Sequence, residues 1–236
     1  MNANITQGFE YAERSFLGDS INLTLTNGTT VVAKEYRFGL SNGLHLTYGE
    51  INGLAGDFYG TKNPISDGTT LQDQSKRFSD AYATLAGPGP RQPQEAKAIL
   101  SVLRKEVDAI NKALQGHEDL SIVYSELPDE TSTFEKITRG RSDIPGYLGL
   151  ARINWDHFGA DARTAYNAGH WTALHLAIAG ELDKAYAMNA FADHFLEDSF
   201  SAGHLRTPRR LLHNNLNPVA DLCAKVFSAQ GADKFF

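Results

Sequence analysis

The sequence predicts a mostly α-helical protein, a bundle of about six to eight helices, with a short β-rich or irregular N-terminal segment over residues 1–45. An amphipathic stretch begins at Pro93 and continues to about Gln115. Helical periodicity also extends from about residue 159 to residue 200, with one break at Gly180. The alternation of apolar and polar residues that is typical of strands occurs within the first 45 residues.

Composition limits the range of functions. Of the 236 residues, 42% are hydrophobic and 21% are charged, so the chain can bury a core and is not disordered as a whole. The net charge of −6 argues against sequence-independent binding of nucleic acid. The single cysteine, Cys223, excludes an internal disulfide. No apolar run approaches the roughly 18 residues of a membrane span. Residues 1–16 lack a signal-peptide pattern, so we expect a protein that is cytoplasmic or secreted after processing.

The N-terminal part contains a hairpin signal. Apolar and polar residues alternate on both sides of Asn27-Gly28, a pair that favours the tight turn between two strands. From Thr47 the pattern becomes helical, and residues 47–60 predict a short helix that ends near the glycines. A turn-rich loop from Gly60 to Gly68 follows.

Three further helices are predicted in the middle of the chain. Residues 72–85 are amphipathic, and residues 131–138 predict a short helix. The clearest helix starts at Pro93, because proline is favoured in the first turn of a helix. We therefore expect a single domain, with a lead-in at residues 1–45 and a helical metal-binding part at residues 46–236.

The last third predicts two long helices placed back to back. Apolar residues follow helical spacing over residues 162–177, and Gly180 ends this first helix. The second helix starts with Glu181 and Asp183, acids suited to a helix N-terminus, and continues to about Phe200. It is rich in alanine and apolar on nearly every face, so we expect it in the middle of the bundle.

Histidines are concentrated in this last third. The chain has eight, and six of them lie between residues 157 and 213. Neutral imidazole is the commonest metal ligand in proteins, so this concentration of histidines indicates a candidate metal site.

The spacing of His194 and Asp198 indicates a pair that shares one helix face. Residues four apart lie above one another on a helix and can bind one ion. A buried, unpaired carboxylate is costly, so Asp198 needs a cation or strong hydrogen-bond donors. A structural His–Asp pair that joins two helices explains the same spacing equally well.

Neighbouring residues favour the metal. His204 follows the second helix and His157 precedes the first, and antiparallel helices would bring both to one end of the bundle. Three imidazoles and a carboxylate would then form a first-row metal site, most naturally for zinc. Asp156 and Asp193 each adjoin a candidate ligand and could orient an imidazole.

Several segments together resemble the zinc-dependent phospholipase C superfamily, in particular its bacterial and fungal phospholipase C-like branch. They are residues 46–60 (LTYGEINGLAGDFYG), 154–158 (NWDHF), 165–174 (AYNAGHWTAL) and 189–213 (NAFADHFLEDSFSAGHLRTPRRLLH). The single-strand nucleases are more distant relatives on the same helical fold. The resemblance covers roughly residues 45–215. It implies a cleft that holds three zinc ions and a metal-activated water that attacks a phosphodiester.

The resemblance also implies a role for each candidate residue. His194 and Asp198 match the ligand pair on the central helix, and His204 matches the ligand of another zinc. His157 is similar to the histidine ligand that precedes the long helices. Asp57 is similar to an early aspartate that completes the first zinc site and acts as general base.

The number of zinc ions depends on residues further along the chain. One zinc is expected from the ligands above, and a second if His213 replaces a downstream histidine of the family, since no histidine follows it. The ligands of a third zinc are not identifiable, and His45 is the candidate. Arg206 and Arg209 could bind the phosphate of a substrate, although a solvated basic turn is the alternative.

Three functions stay open at this level. The first is a zinc-dependent phosphodiester hydrolase that acts on a phospholipid or another phosphodiester. The second is a non-catalytic binding or toxin-like protein that retains the fold with one zinc or none. The third is a nuclease or nucleotidase, which would need aromatic side chains by the metal for base stacking, and Trp155, Tyr166 and Trp171 are the candidates.

Overall fold

The fold is mostly helical, as the sequence predicts. The computed structural model describes residues 11–88, 93–139 and 145–215. The helices of these residues are α1 (Tyr11–Ser20), α2 (Tyr48–Leu54), α3 (Leu71–Ala86), α4 (Pro93–Gly116), α5 (Leu120–Glu126), α6 (Thr131–Ile137), α7 (Tyr147–Arg152), α8 (Gly159–Ile178), α9 (Leu182–Asp198), α10 (Ala202–Arg206) and α11 (Arg209–Asn215). The strands are β1 (Asn22–Thr24), β2 (Thr30–Val32), β3 (Phe38–Gly39) and β4 (His45–Leu46). None of the described helices combines the length and the apolar character that crossing a membrane requires.

The described part of the chain has eleven α-helices, more than the predicted six to eight, and α1 is one of the additions. The prediction of a β-rich or irregular segment is wrong at residues 11–20, which form this helix. Its N-terminus is capped from a distance, because the carboxylate of Glu106 in α4 accepts a hydrogen bond of 2.7 Å from the backbone N–H of Ala12. Buried Arg14 also attaches α1 to α9. A local pattern could not indicate either contact.

The predicted hairpin is present. β1 and β2 pair antiparallel, with Leu23 opposite Val31, and the turn contains Gly28 in the left-handed region at a φ of 80°. β3 and β4 form a second short antiparallel pair. Both sheets are small, and among the described residues all named strands precede α2.

Helix α2 begins and ends where the sequence predicts. The side chain of Thr47 accepts a hydrogen bond from the backbone N–H of Glu50, and the Glu50 carboxylate accepts one from the backbone N–H of Thr47. This reciprocal cap satisfies two N–H groups that a helix start would otherwise leave unpaired. All residues of α2 are buried, and the helix ends just before Gly56 and Asp57.

Helices α8 and α9 form the most extensive helix–helix contact among the described elements. The chain turns between them at Gly180, whose φ of 82° lies in the left-handed region. α2 packs on α9, and α3 packs on α8. Small residues allow this close packing, and a Cβ on Gly169 of α8 would lie 2.3 Å from the ring of Phe78 and 2.7 Å from Cβ of Ala192. The central position predicted for α9 is therefore consistent with its buried alanines.

We expect Gly169→Ala to destabilise the protein. The added methyl overlaps the buried Phe78 ring, and overpacking of this kind typically costs about 1–3 kcal/mol. Alanine improves helix propensity by up to about 1 kcal/mol, which offsets the loss only in part. Thermal unfolding followed by circular dichroism would measure the difference. Asn167→Ala introduces the same residue at an exposed position of α8 and should leave the melting temperature unchanged or slightly raised. A more stable Gly169→Ala variant would contradict the proposed packing.

Candidate metal centre

The side chains of Asp57, His157 and His194 converge at one end of α9. One ligand atom from each lies within 4.8 Å of the other two, a spacing that could hold a metal ion. Nε2 of His194 is 3.7 Å from a carboxylate oxygen of Asp57. The two imidazoles are buried, whereas the Asp57 side chain is 43% exposed. The group therefore has a closed interior and one edge that faces solvent.

Gly56 lies against this group. Its φ of 63° is in the left-handed region, and it forms the turn that places Asp57 directly after α2. A Cβ at this position would lie 2.8 Å from Nε2 of His194 and 2.9 Å from Nε2 of His157. Both Nε2 atoms thus border the same small space, and a Cβ atom at position 56 would fill it.

His194 has a defined tautomer. Its Nδ1 lies 2.9 Å from the backbone carbonyl oxygen of Asn52, and a carbonyl can only accept, so Nδ1 carries the proton. Burial, reinforced by the nearby guanidinium of Arg14, lowers the pKa of His194 to about 3. The imidazole is therefore neutral at physiological pH, with the lone pair of Nε2 available to a metal.

His157 is held by a carboxylate. It ends the 3₁₀ turn Trp155–His157, just before α8. Its Nδ1 lies 2.8 Å from Oδ2 of Asp198 and 3.2 Å from Nε2 of His194. Burial by itself would lower the pKa of His157, but the carboxylate of Asp198 raises it above its ordinary value. Because Nδ1 donates to Asp198, Nε2 is the nitrogen left for an ion.

Asp198 lies beside the group and is fully buried at the C-terminus of α9. Its Oδ1 accepts a hydrogen bond from the guanidinium of Arg14, which is 3% exposed. Burial alone would raise the pKa of Asp198, but Arg14, followed by His157, holds it well below its usual value. The cation that the sequence requires for Asp198 is therefore supplied by the protein.

Glu197 and Asn52 extend the polar contacts around Arg14. Oε1 of Glu197 accepts a hydrogen bond of 2.7 Å from the side-chain amide of Asn52, and Oε2 lies 3.4 Å from the Arg14 guanidinium. Burial raises the pKa of Glu197 to about 8, although Arg14 acts in the opposite direction. The guanidinium of Arg14 is closer to Asp198 than to Glu197, so Asp198 is its main counter-charge.

The other candidate histidines are not part of the three-residue group. His204, in α10, has its ring centroid 6.3 Å from that of His157, and its buried Nδ1 has no hydrogen-bond partner in the described residues. Burial lowers the pKa of His204, although Asp198 opposes this. His213, in α11, packs on Trp155 with 5.0 Å between ring centroids. His45 is exposed on β4.

The basic residues after His204 have separate positions. Arg206 is exposed. Arg209 is buried, and its guanidinium donates to Asn154 and to the backbone carbonyls of Ala151 and Arg152 at the end of α7. These contacts attach α11 to α7, so the structure gives the predicted phosphate-binding role of Arg209 no support.

The carboxylates next to the ligands do not orient the imidazoles. Asp156 accepts hydrogen bonds from Ser66 and from the backbone N–H of Ile65, and it attaches the loop after α2 to the turn of His157. Asp193 accepts a hydrogen bond of 2.6 Å from the hydroxyl of Tyr48. Asp198 orients His157 in place of the predicted neighbours.

A cleft adjoins the centre. It has a volume of about 380 Å³ including its open mouth, and Gly56 and His157 form part of its wall. Polar Thr61 and Asn63 and the apolar side chain of Ile153 also line it. The cleft meets the ligand group at His157, whereas Asp57 and His194 are not among its lining residues.

No family model, curated protein or solved structure matches the chain. The likeness to the zinc-dependent phospholipase C superfamily therefore rests on the quoted motifs and stays a prediction. Any function has to be argued from the geometry of the site.

Three residues complete the centre, and the sequence carries no signal for two of them, Arg14 and Asn52. Arg14 lies in a segment that was predicted to be irregular, and it reaches Asp198 across 184 positions of the chain. Asn52 acts on His194 through its backbone carbonyl, which every residue has. Gly56 is the exception that could have been found, because it directly precedes the candidate ligand Asp57 in a glycine-rich segment.

We expect Gly56→Ala to abolish metal binding at the centre. The new Cβ would lie 2.6 Å from Cε1 of His157 and 2.8 Å from Nε2 of His194, so it would displace both imidazoles. Calorimetric titration of the metal-free protein with Zn²⁺ would measure the effect. Gly43→Ala is the matched control, since Gly43 has a φ of 84° and no atom within 4 Å of its Cβ position. Both variants carry the backbone strain of the left-handed region, about 1–2 kcal/mol, so only the steric effect differs. Equal zinc affinity in the two variants would contradict the placement of the site.

Proposed function

We propose that this protein is a zinc-dependent hydrolase of phosphodiesters, with Asp57, His157 and His194 as the zinc ligands. The observation that carries the proposal is the convergence of two imidazoles and a carboxylate at a site with one solvent-facing edge. Structural zinc sites usually have four protein ligands, whereas catalytic sites have three and keep a position for water or substrate.

The charges around the site favour a divalent cation. Two carboxylates, those of Asp57 and Asp198, lie close to the two imidazoles. Arg14 provides one positive charge to balance these two carboxylates. Nitrogen and oxygen ligands in this combination suit zinc, and the resemblance of the surrounding motifs points to the same metal.

Each ligand residue has a separate task in the proposed reaction. A zinc ion held there would supply a water nucleophile near neutral pH and would polarise a phosphoryl oxygen. His157 and His194 would hold such an ion through their Nε2 atoms, because Asp198 and Asn52 accept from their Nδ1 atoms. Asp57 is at the open edge, so it is the group that can accept a proton from attacking water.

The cleft supports a substrate with both polar and apolar parts. Thr61 and Asn63 offer hydrogen-bonding groups in its wall, whereas Ile65, Leu150 and Ile153 offer apolar contacts. A phosphodiester with an apolar substituent fits this lining, and phospholipids are one such class. Among the aromatic candidates for base stacking, Trp155 is buried and contacts Arg210 and His213, which gives a nuclease less support.

We expect the purified protein to hydrolyse p-nitrophenyl phosphorylcholine or bis-p-nitrophenyl phosphate. A chelator should abolish the reaction, and added Zn²⁺ should restore it. His157→Ala and His194→Ala should lose zinc and activity together, by at least about 10²-fold in kcat, because they remove the ion and its electrostatic stabilisation. Absorbance at the p-nitrophenolate band and metal analysis of the same samples provide the measurement.

His175→Ala is the matched control for these variants. His175 is exposed on α8, where it contacts the ring and the backbone carbonyl of Trp171, so its loss should change neither zinc content nor turnover. Zinc-loaded protein without activity on lipid, nucleotide or model phosphodiesters would contradict the enzyme and favour a non-catalytic binding protein. Iron in place of zinc would also contradict the proposal, since two histidines and one carboxylate can serve non-haem iron chemistry.

A further inference from the structure

We propose that the centre binds a single ion and that Asp198 is a positioning residue for His157. The other oxygen of the Asp198 carboxylate is then neutralised by Arg14 rather than by a second metal. This inference rests on the proposed metal site, and it concerns the number of ions and the role of one carboxylate. It differs from what the sequence motifs imply, which is an aspartate that ligates zinc.

Both oxygens of the Asp198 carboxylate are already engaged by the protein. Oδ1 accepts from the Nη2 of Arg14, and Oδ2 lies 2.8 Å from Nδ1 of His157. Oδ2 is also 3.9 Å from Nε2 of His194, too far for a hydrogen bond. A metal ligated by Asp198 would have to share a carboxylate oxygen with one of these two partners in a fully buried position.

Arg14 is fixed in place by more than one contact. Its Nη1 donates to the backbone carbonyl of His194 at 2.9 Å and lies 3.4 Å from the carboxylate of Glu197. A guanidinium does not lose its proton under physiological conditions, so its charge is permanent. A second metal at Asp198 would lie next to this buried cation, where like charges repel strongly because little water screens them.

Asp198 acts on the metal site through His157. Because Nδ1 of His157 donates to Asp198, the ring presents Nε2 to the space beside Gly56. His194 is oriented in the same way by the carbonyl of Asn52. A carboxylate in this position fixes the tautomer of a ligand histidine and raises its basicity, and its loss typically weakens metal binding by about 10–100-fold.

A second ion between Asp198 and His204 is the strongest rival. The buried Nδ1 of His204 has no hydrogen-bond partner in the described part of the chain, and an ion could coordinate its lone pair. The carboxylate of Asp198 faces Arg14 and His157 instead, and no second group of three ligand residues occurs among the described residues. The two arrangements predict different numbers of bound ions.

The first experiment compares Asp198→Asn with Asp57→Asn by calorimetric titration with Zn²⁺. We expect one zinc per chain in the wild-type protein. Asp198→Asn should keep one site with an affinity reduced about 10–100-fold, since the amide oxygen can still accept from His157. Asp57→Asn replaces a charged ligand by a weaker neutral amide oxygen in direct contact with the ion, so it should lose more affinity than Asp198→Asn. Two zinc ions per wild-type chain, or an equal loss in the two variants, would overturn the inference.

The second experiment needs no variant, which matters because Asp198→Asn leaves Arg14 without its buried counter-ion. Wild-type protein labelled with ¹⁵N-histidine is loaded with Zn²⁺ and studied by NMR. Both ligand imidazoles should be protonated at Nδ1 and bound at Nε2, and the Nδ1 proton of His157 should be shifted by its hydrogen bond to Asp198. A zinc-bound Nδ1 at His157 would overturn the inference even if activity is present. Failure of the wild-type chain to bind zinc would overturn the proposed function as well as the inference, whereas the other adverse results concern the inference alone.

Discussion

The buried ion pair between Arg14 and Asp198 is the interaction on which the centre depends. Arg14 is on the first described helix and Asp198 is at the end of α9, so the pair joins two distant parts of the chain. Bringing two charges out of water is expensive, and breaking such a pair by removing one partner typically costs about 3–5 kcal/mol. Because the cost of desolvating both charges offsets much of their attraction, the pair is weak evidence for added stability. Its structural consequence is a carboxylate held in one orientation, which in turn holds His157.

Helix α9 lies in the core but also carries a row of acidic side chains. Its alanines and Phe191 are buried against neighbouring helices, yet it also carries Asp193, Glu197 and Asp198 along the side that meets α1 and α2. Each carboxylate has its own partner there: the hydroxyl of Tyr48, the amide of Asn52 and the guanidinium of Arg14. Buried polar groups are tolerated when they are satisfied in this way, and a satisfied network orients its members.

The loop after α2 connects this buried network to solvent. Gly56 allows the two imidazoles to approach the backbone, and the next residue, Asp57, has a side chain that reaches the solvent-facing edge. Asp156 holds the following loop residues against the turn that carries His157. The buried histidines and the half-exposed carboxylate thus come from different elements of the fold.

Local patterns were enough to predict much of the fold and part of the site. Thr47 and Glu50 cap α2, Pro93 starts α4, Gly180 separates α8 from α9 and Asn27-Gly28 marks the hairpin, because caps and turns depend on residues within a few positions. His194 and Asp198 were identified from their spacing, and the structure places Asp57 and His157 beside them.

Contacts between distant residues decided the rest. α1 is capped by Glu106, Asp198 is paired with Arg14, and Arg209 is held by the end of α7. The spacing of His194 and Asp198 is the same whether the carboxylate binds an ion, an arginine or a neighbouring imidazole. The choice among these partners depends on which side chains the packed helices bring to the end of α9, and that arrangement is a property of the tertiary structure.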